Sequence, residues 1–170
     1  TGGVSERPAA SVFPPRSWAA PDAATLETGG TTTMPQQALW TLAGWTPNAD
    51  GRLARDGEPL TLELVTNGEP HRIALAEAIA AQLDEAGVTV EVITAPAQRV
   101  VSDYLRPSAY SLALFGWQPG NDPDPYGGWH TSQLGAGNVA VFSDPEADAL
   151  LEVARTTLDT GERREFYALF

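Results

Sequence analysis

The run from Leu60 to Trp117 changes its apolar period four times, and that alternation constrains the fold more than any other feature of the chain. Leu60, Leu62 and Leu64 alternate with Thr61 and Glu63, the period of two that sets one face of a strand on a core. Pro70 then opens a helical stripe of Ile73, Ala76, Ile79, Ala80 and Leu83, which Gly87 stops. Val88, Val90 and Val92 return to the period of two, Pro96 opens a shorter helix through Val100, Val101 and Tyr104, and Tyr110 to Trp117 reads as a third strand. Helices between strands make crossovers, and crossovers are right-handed. The expected class is therefore α/β, with a small, mainly parallel βαβαβ sheet flanked by helices.

The flanks read as scaffold. Pro35 opens a helix that Gly44 ends, with Thr31 to Thr33 as its cap and Leu39, Leu42 and Ala43 on its buried side. Ser143-Asp-Pro-Glu146 has the S-x-x-E capping pattern, followed by Leu150, Leu151, Ala154 and Leu158 on one stripe. Thr160-Gly161 separates that helix from a terminal one carrying Phe166, Leu169 and Phe170. Residues 1–33 lack a sustained period and are rich in Pro, Gly, Ser and Thr. They are expected to form an extended connector pinned by Val12, Phe13 and Trp18, with residues 34–170 as one lobe. The last helix stops without a cap or breaker, so the protein is expected to continue beyond it.

The strand ending at Trp117 runs into Gln118-Pro-Gly-Asn-Asp-Pro-Asp-Pro125, a loop that Pro stiffens and that carries two carboxylates. Strand ends of this kind present side chains to ligands in α/β domains. Trp117, beside a glycine and a polar loop, reads as a cleft wall, while Trp45 and Trp129 read as packing. Asp122 is open between a ligand contact and a turn residue; Asp124, ahead of a proline, reads first as an Asx turn. Asn138, in a Gly-rich loop, is a turn residue or a polar ligand contact.

Reactive chemistry is hard to find. No nucleophile elbow with a partnered histidine is present, and Gly127-Gly128 and Gly135-Ala-Gly137 lack the lysine and the strand-to-helix setting of a phosphate loop. His71 and His130 are too far apart in sequence for a local metal pair and read as surface or hydrogen-bonded residues. There is no cysteine, which removes thiolate chemistry. With 22 acidic residues against 10 arginines and no lysine, net −12, a phosphate-tracking surface has nothing to be built from, so nucleic acid is excluded as a partner. No apolar run reaches the length of a membrane span, and the first residues lack the regions of a secretory signal, so a signal for export would lie outside this chain.

Five segments occur in a telling order: Pro35 to Trp45, Asp50-Gly51 with the strand after it, the strand and loop from Tyr110 to Pro125, Ser143 to Leu151, and Asp159 to Tyr167. In this order the chain resembles the C-terminal lobe of the dipeptide/oligopeptide-binding family of solute-binding proteins, the extracytoplasmic receptors of ABC importers. The resemblance implies one lobe of a two-lobed type II periplasmic-binding-protein fold, without catalysis or cofactor. It implies a peptide or other small solute as ligand, an N-terminal lobe outside this chain, and an ABC permease as partner. The location implied is periplasmic or that of a cell-surface lipoprotein. Family members that bind peptides place an aspartate three positions after the tryptophan to pair with the peptide amine; here that position is Gly120, and the loop reads one residue longer. Either Asp122 takes over that charge or the ligand is not an ordinary peptide. The alternative is a transport-inactive envelope lipoprotein of the same fold with a regulatory or glycolipid-related role.

Overall fold

The computed structural model describes residues 11–14, 16–21, 34–117, 120 and 122–170, which form two compact units, Thr32–Trp117 and Thr1–Thr31 with Gln118–Phe170. The expected cap at Thr31 to Thr33 and most of the 1–33 connector lie outside the described residues.

The first unit opens with α1 (Gln36–Leu42), whose cap residue Pro35 offers no side-chain bond and whose end is turned by Gly44 at φ +83°. The expected buried side of this helix is not found: none of its residues is buried, and Leu42 is 75% exposed. Seven residues make only two turns, too short a stripe to be covered by the strands of its own unit. A small antiparallel sheet follows, β1 (Thr46–Pro47), β2 (Leu53–Arg55) and β3 (Glu58–Pro59). Asp56 and Gly57, both at positive φ, turn β2 into β3, the mirror-image two-residue turn that Asp-Gly favours.

The main sheet is β4 (Thr61–Asn67), β5 (Thr89–Ala95) and β6 (Leu112–Leu114), all parallel, in the order β5-β4-β6. The central strand buries Leu64, Val65 and Thr66 in succession, so both of its faces are covered, as parallel sheets require. Between β4 and β5 runs α2 (Pro70–Glu85), with Pro at its first position. Its expected stripe is the covered one: Ala76 is buried and Ile73, Ile79, Ala80 and Leu83 are half-buried. Gly87 ends it at φ +86°, and a Cβ there would stand 2.8 Å from the Gly51 carbonyl. The adjoining Gly87 carbonyl accepts a bond from Leu53 N at 2.8 Å, which ties the antiparallel sheet to the base of β5. No other residue type meets both demands.

The second crossover differs from expectation in detail. The helix from Pro96 is α3 (Ala97–Arg99) continued as a π-helical turn, Val100–Leu105, which buries Val100 and Leu105. The third strand is only three residues long, because Ser108 at φ +55° and the Gly116-Trp117 exit cut it at either end. It pairs with β4 at three positions, whereas β5 pairs with β4 at seven. Amides of β6 are accordingly expected to exchange with solvent faster than those of β5 under native conditions, because fewer pairs must open; equal protection of the two strands would contradict this.

The second unit is built on α4 (Tyr126–Trp129), α5 (Pro145–Thr156) and α6 (Thr160–Leu169). Its core is Phe13, Ala19, Leu151, Ala154 and Tyr167, against which Tyr126, Trp129, Phe166 and Phe170 pack. Two boundaries shift from those expected. The cap of α5 is Asp144 in place of Ser143, its carboxylate accepting from Glu146 N and Ala147 N, while the Ser143 hydroxyl accepts from Thr131 Oγ1. Thr160 and Gly161 belong to the first turn of α6, which Asp159 caps. In both cases a carboxylate at the helix start meets free N–H groups and the positive end of the dipole, the stronger of the available caps.

Candidate functional site

In the sheet unit, the ends of β4 and β6 mark the point where the strand order reverses. The chain leaves β4 for β5 on one side and later returns to β6 on the other, and right-handed crossovers then send the two connections to opposite faces. A crevice opens at the carboxyl ends of such strands. Thr66, fully buried, donates its hydroxyl to the Leu114 carbonyl at 2.8 Å and so fixes the end of β6. Beyond that bond the chain is exposed: Phe115 and Trp117 both show their rings, Trp117 at 58%. Between them Gly116 receives Arg72 from the first turn of α2, so close that a Cβ at Gly116 would lie 2.1 Å from Nη2. An indole, a second ring and a guanidinium are thus presented on strand and helix ends. Trp45, by contrast, is covered by Arg55 in a cation–π contact at 4.4 Å, and Trp129 packs edge-on to Phe142 and Phe170.

The other three predicted residues lie in the second unit. Asp122 meets Arg163 through both oxygens, Oδ1 to Nη2 at 2.9 Å and Oδ2 to Nη1 at 3.1 Å. The Arg163 side chain is 12% exposed; its Nε donates to the Tyr167 hydroxyl at 3.0 Å, and its guanidinium lies over the rings of Trp18 and Tyr167 at 5.3 and 5.4 Å. Burial raises the Tyr167 hydroxyl above the ordinary tyrosine value, and the bond from Arg163 only partly opposes it. Asp124 uses Oδ1 to accept from Tyr126 N at 3.0 Å, the expected Asx turn, and Oδ2 to meet Arg155 Nε at 3.1 Å. Arg155 in turn covers the Tyr126 ring at 4.2 Å.

Asn138 is 2% exposed. Its amide nitrogen donates to the carbonyls of Trp129, His130 and Phe142 at 3.1, 3.2 and 2.7 Å, and its oxygen accepts from Phe142 N at 3.1 Å. The side chain acts as a fastener between two stretches of loop. His130 is buried and stacked on Tyr126 at 4.1 Å; its Nδ1 meets Ser132 N at 3.0 Å and the Ser132 hydroxyl at 2.8 Å, and its Nε2 lies 3.4 Å from Glu152. Asp148 accepts from Thr131 N at 2.9 Å. Burial pushes its carboxyl up, but bonds from Thr131 and the charge of His130 outweigh this and hold it below the usual carboxylate range. His71 is exposed in the first turn of α2.

Among the described residues, Trp117 is the one of the four residues read as ligand contacts whose side chain is exposed without a partner in its own unit, while the two aspartates and the asparagine are bonded inside theirs. Arg72 and Phe115 went unread. Their signal was weak, an Arg in a helix start and a Phe at an alternating position. Among the described residues there is no group of three or more His, Asp or Glu placed to hold a metal ion, and no helix is long and apolar enough to cross a membrane.

Comparisons with solved structures show the same fold. The oligopeptide-binding protein AppA of Bacillus subtilis, in complex with a nonapeptide, is 24% identical with a TM-score of 0.78 over 95% of this chain and 33% of its own. The Escherichia coli murein tripeptide binding protein MppA is 21% identical with a TM-score of 0.73 over 97% of this chain and 31% of its own. NikZ of Campylobacter jejuni, in complex with Ni(L-His), is 26% identical with a TM-score of 0.64 over 78% of this chain and 27% of its own. The chain thus spans about a third of the length of these relatives. No curated protein matches. The family model for bacterial extracellular solute-binding proteins, family 5 Middle, matches residues 3–138, most of the chain, and on that match the chain belongs to the bacterial extracellular solute-binding proteins, family 5.

Proposed function

We propose that this chain is part of the ligand-binding portion of an extracytoplasmic receptor for an ABC importer, and that its solute is a peptide or peptide-like molecule bound without chemical change. The family match supports solute binding, and the peptide-bound AppA and the murein tripeptide binder MppA support the peptide class. The observation that carries the reading is Trp117, an exposed indole just beyond the end of β6 in a parallel sheet whose central strand is buried. A rigid aromatic face loses little conformational freedom on binding and offers both area and quadrupole to planar amide groups. A second lobe, from protein outside this chain, would close over the solute and shift the population toward the form that docks on the permease.

Trp117→Ala in the full-length receptor tests this. The solute that co-purifies, identified by native mass spectrometry, is expected to bind the variant at least about tenfold more weakly in calorimetry, the loss of one well-packed aromatic anchor. Thermal stability is expected to stay within about 1 °C, since a half-exposed ring adds little to the core. Unchanged affinity would remove Trp117 from the site and the reading with it.

A further inference from the structure

Asn67-Gly68 is the one Asn-Gly pair in the chain. It stands where β4 ends: Asn67 makes the last pair with β5, opposite Ala95, and the exposed Gly68 begins the turn that leads to Pro70 and α2. Asn67 Oδ1 accepts from Glu69 N at 3.4 Å, a long bond that spans the amide between them and so sets the side-chain Cγ over Gly68 N. That nitrogen donates to no acceptor among the described residues, and a Cβ built on Gly68 meets nothing within 4 Å. A carboxamide carbon, the adjoining unbonded amide and open space for their approach therefore lie together.

We propose that Asn67 is a self-modifying site: in the folded receptor it deamidates through a cyclic imide and leaves aspartate or isoaspartate at the end of β4. Gly68 N gives its proton to water or hydroxide and attacks Asn67 Cγ. The new bond from nitrogen to Cγ closes the ring, the bond from Cγ to the side-chain nitrogen breaks, and that nitrogen takes up a proton and leaves as ammonia. Water then opens the ring, giving aspartate where the new bond breaks and isoaspartate where the old main-chain bond does, so one water enters for each ammonia released. The other described asparagines lack the arrangement. Asn48 precedes Ala49, and its Oδ1 is held by Asp50 N and Arg52 N at 3.0 and 2.9 Å; Asn138 precedes the β-branched Val139 and is bonded through both of its side-chain polar atoms. Asp50-Gly51 and Asp56-Gly57 have the glycine but a carboxylate in place of the amide, with no ammonia to expel. Pairing with Ala95 opposes rotation of the Asn67 backbone, yet it is the last rung of its ladder, the first to open. The product carries a new negative charge one residue beyond the Thr66–Leu114 pair, at the strand ends that present Trp117, and isoaspartate also routes the main chain through an extra carbon between β4 and α2.

The test ages the full-length receptor in warm buffer for several times the period in which a synthetic peptide of residues 61–72 deamidates. The receptor is then digested in heavy-oxygen water, which marks events of the digest, and mapped by mass spectrometry, with isoaspartate reported by an isoaspartyl methyltransferase. Deamidation at Asn67 ahead of Asn48 and Asn138 is expected. Gly68→Ala is expected to slow it at least about fivefold, because a Cβ on the attacking residue narrows the backbone angles open to it. An intact Asn67 after that period overturns the proposal, since the fold would then protect the site. Asn48 or Asn138 reacting as fast as Asn67 overturns it as well, and this comparison within one protein decides even if Gly68→Ala does not fold. A folded Gly68→Ala that reacts at the wild-type rate also overturns it, because the reaction would not run through the Gly68 amide.

Discussion

Asn138→Ala is expected to destabilise the unit formed by Thr1–Thr31 and Gln118–Phe170 by roughly 3 kcal/mol or more, because several backbone groups lose their partner at once and each buried orphan costs about 1–3 kcal/mol. The amide bridges the carbonyls of Trp129, His130 and Phe142 and receives Phe142 N. Alanine leaves all of these facing a space too enclosed for them to recover bulk water. Asn138→Asp tests the direction of the bonds: it keeps the volume but turns an N–H donor into an oxygen facing three carbonyls, so it is expected to be at least as damaging as alanine. Urea midpoints of the two variants against the wild type measure this, with the slope checked to confirm that the unfolded state has not changed. Wild-type stability combined with lost affinity would instead make Asn138 a ligand contact, the other role its loop allows.

Gly137→Ala is expected to be comparably severe, at about 3 kcal/mol or failure to fold, for a steric reason. A Cβ at Gly137 would stand 2.1 Å from the Gly127 carbonyl oxygen and 3.1 Å from its carbon, and both obstacles are backbone. Relief requires moving the start of α4, where Gly128 N and Trp129 N are bonded to Pro125 O. Two controls isolate the cause. Gly127→Ala meets nothing within 4 Å and is expected to change stability by less than about 1 kcal/mol. Gly116→Ala meets an atom at the same 2.1 Å, but that atom is the tip of Arg72, which can swing aside. Denaturant titration of the three variants ranks them; a mild Gly137→Ala would mean that the two loops approach each other less closely than described.

Much of the parallel sheet was readable because its information is local. The spacing of Ile73, Ala76, Ile79, Ala80 and Leu83 and the alternation in β4 and β5 report burial within a few residues of each position. The antiparallel sheet was missed although Asp56-Gly57 announces its turn, since strands of two and three residues leave no period to count. The solvent-facing α1 misled for the opposite reason: Leu39 and Leu42 have the pattern of a buried stripe, and a pattern does not say whether anything in the same unit lies over it. The exposure of Trp117 was readable from its place beside a glycine and a polar loop at a strand end. The state of the loop carboxylates was not, because Asp122 meets Arg163 across 41 positions and nothing near either residue announces the other. Spacing identifies which groups carry charge; folding decides whether that charge is still on offer.

The short third strand has a consequence for how the indole is held. Any fluctuation that frees β6 also frees the backbone leading into Trp117, and a solute bound to the ring must then work against that opening. By linkage, the apparent dissociation constant is the intrinsic one divided by the fraction of molecules with β6 in place. The longer chain closure of β6 adds only about half a kcal/mol to its cost, since closure entropy grows with the logarithm of loop length, so the fraction in place is governed by the three pairs and by the bond from Thr66 to Leu114 O. Thr66 is fully buried and cannot meet a solute, yet if Trp117 binds one, as proposed, Thr66 would set the affinity through the population of the bound-competent strand, without any change in the surface that the solute touches.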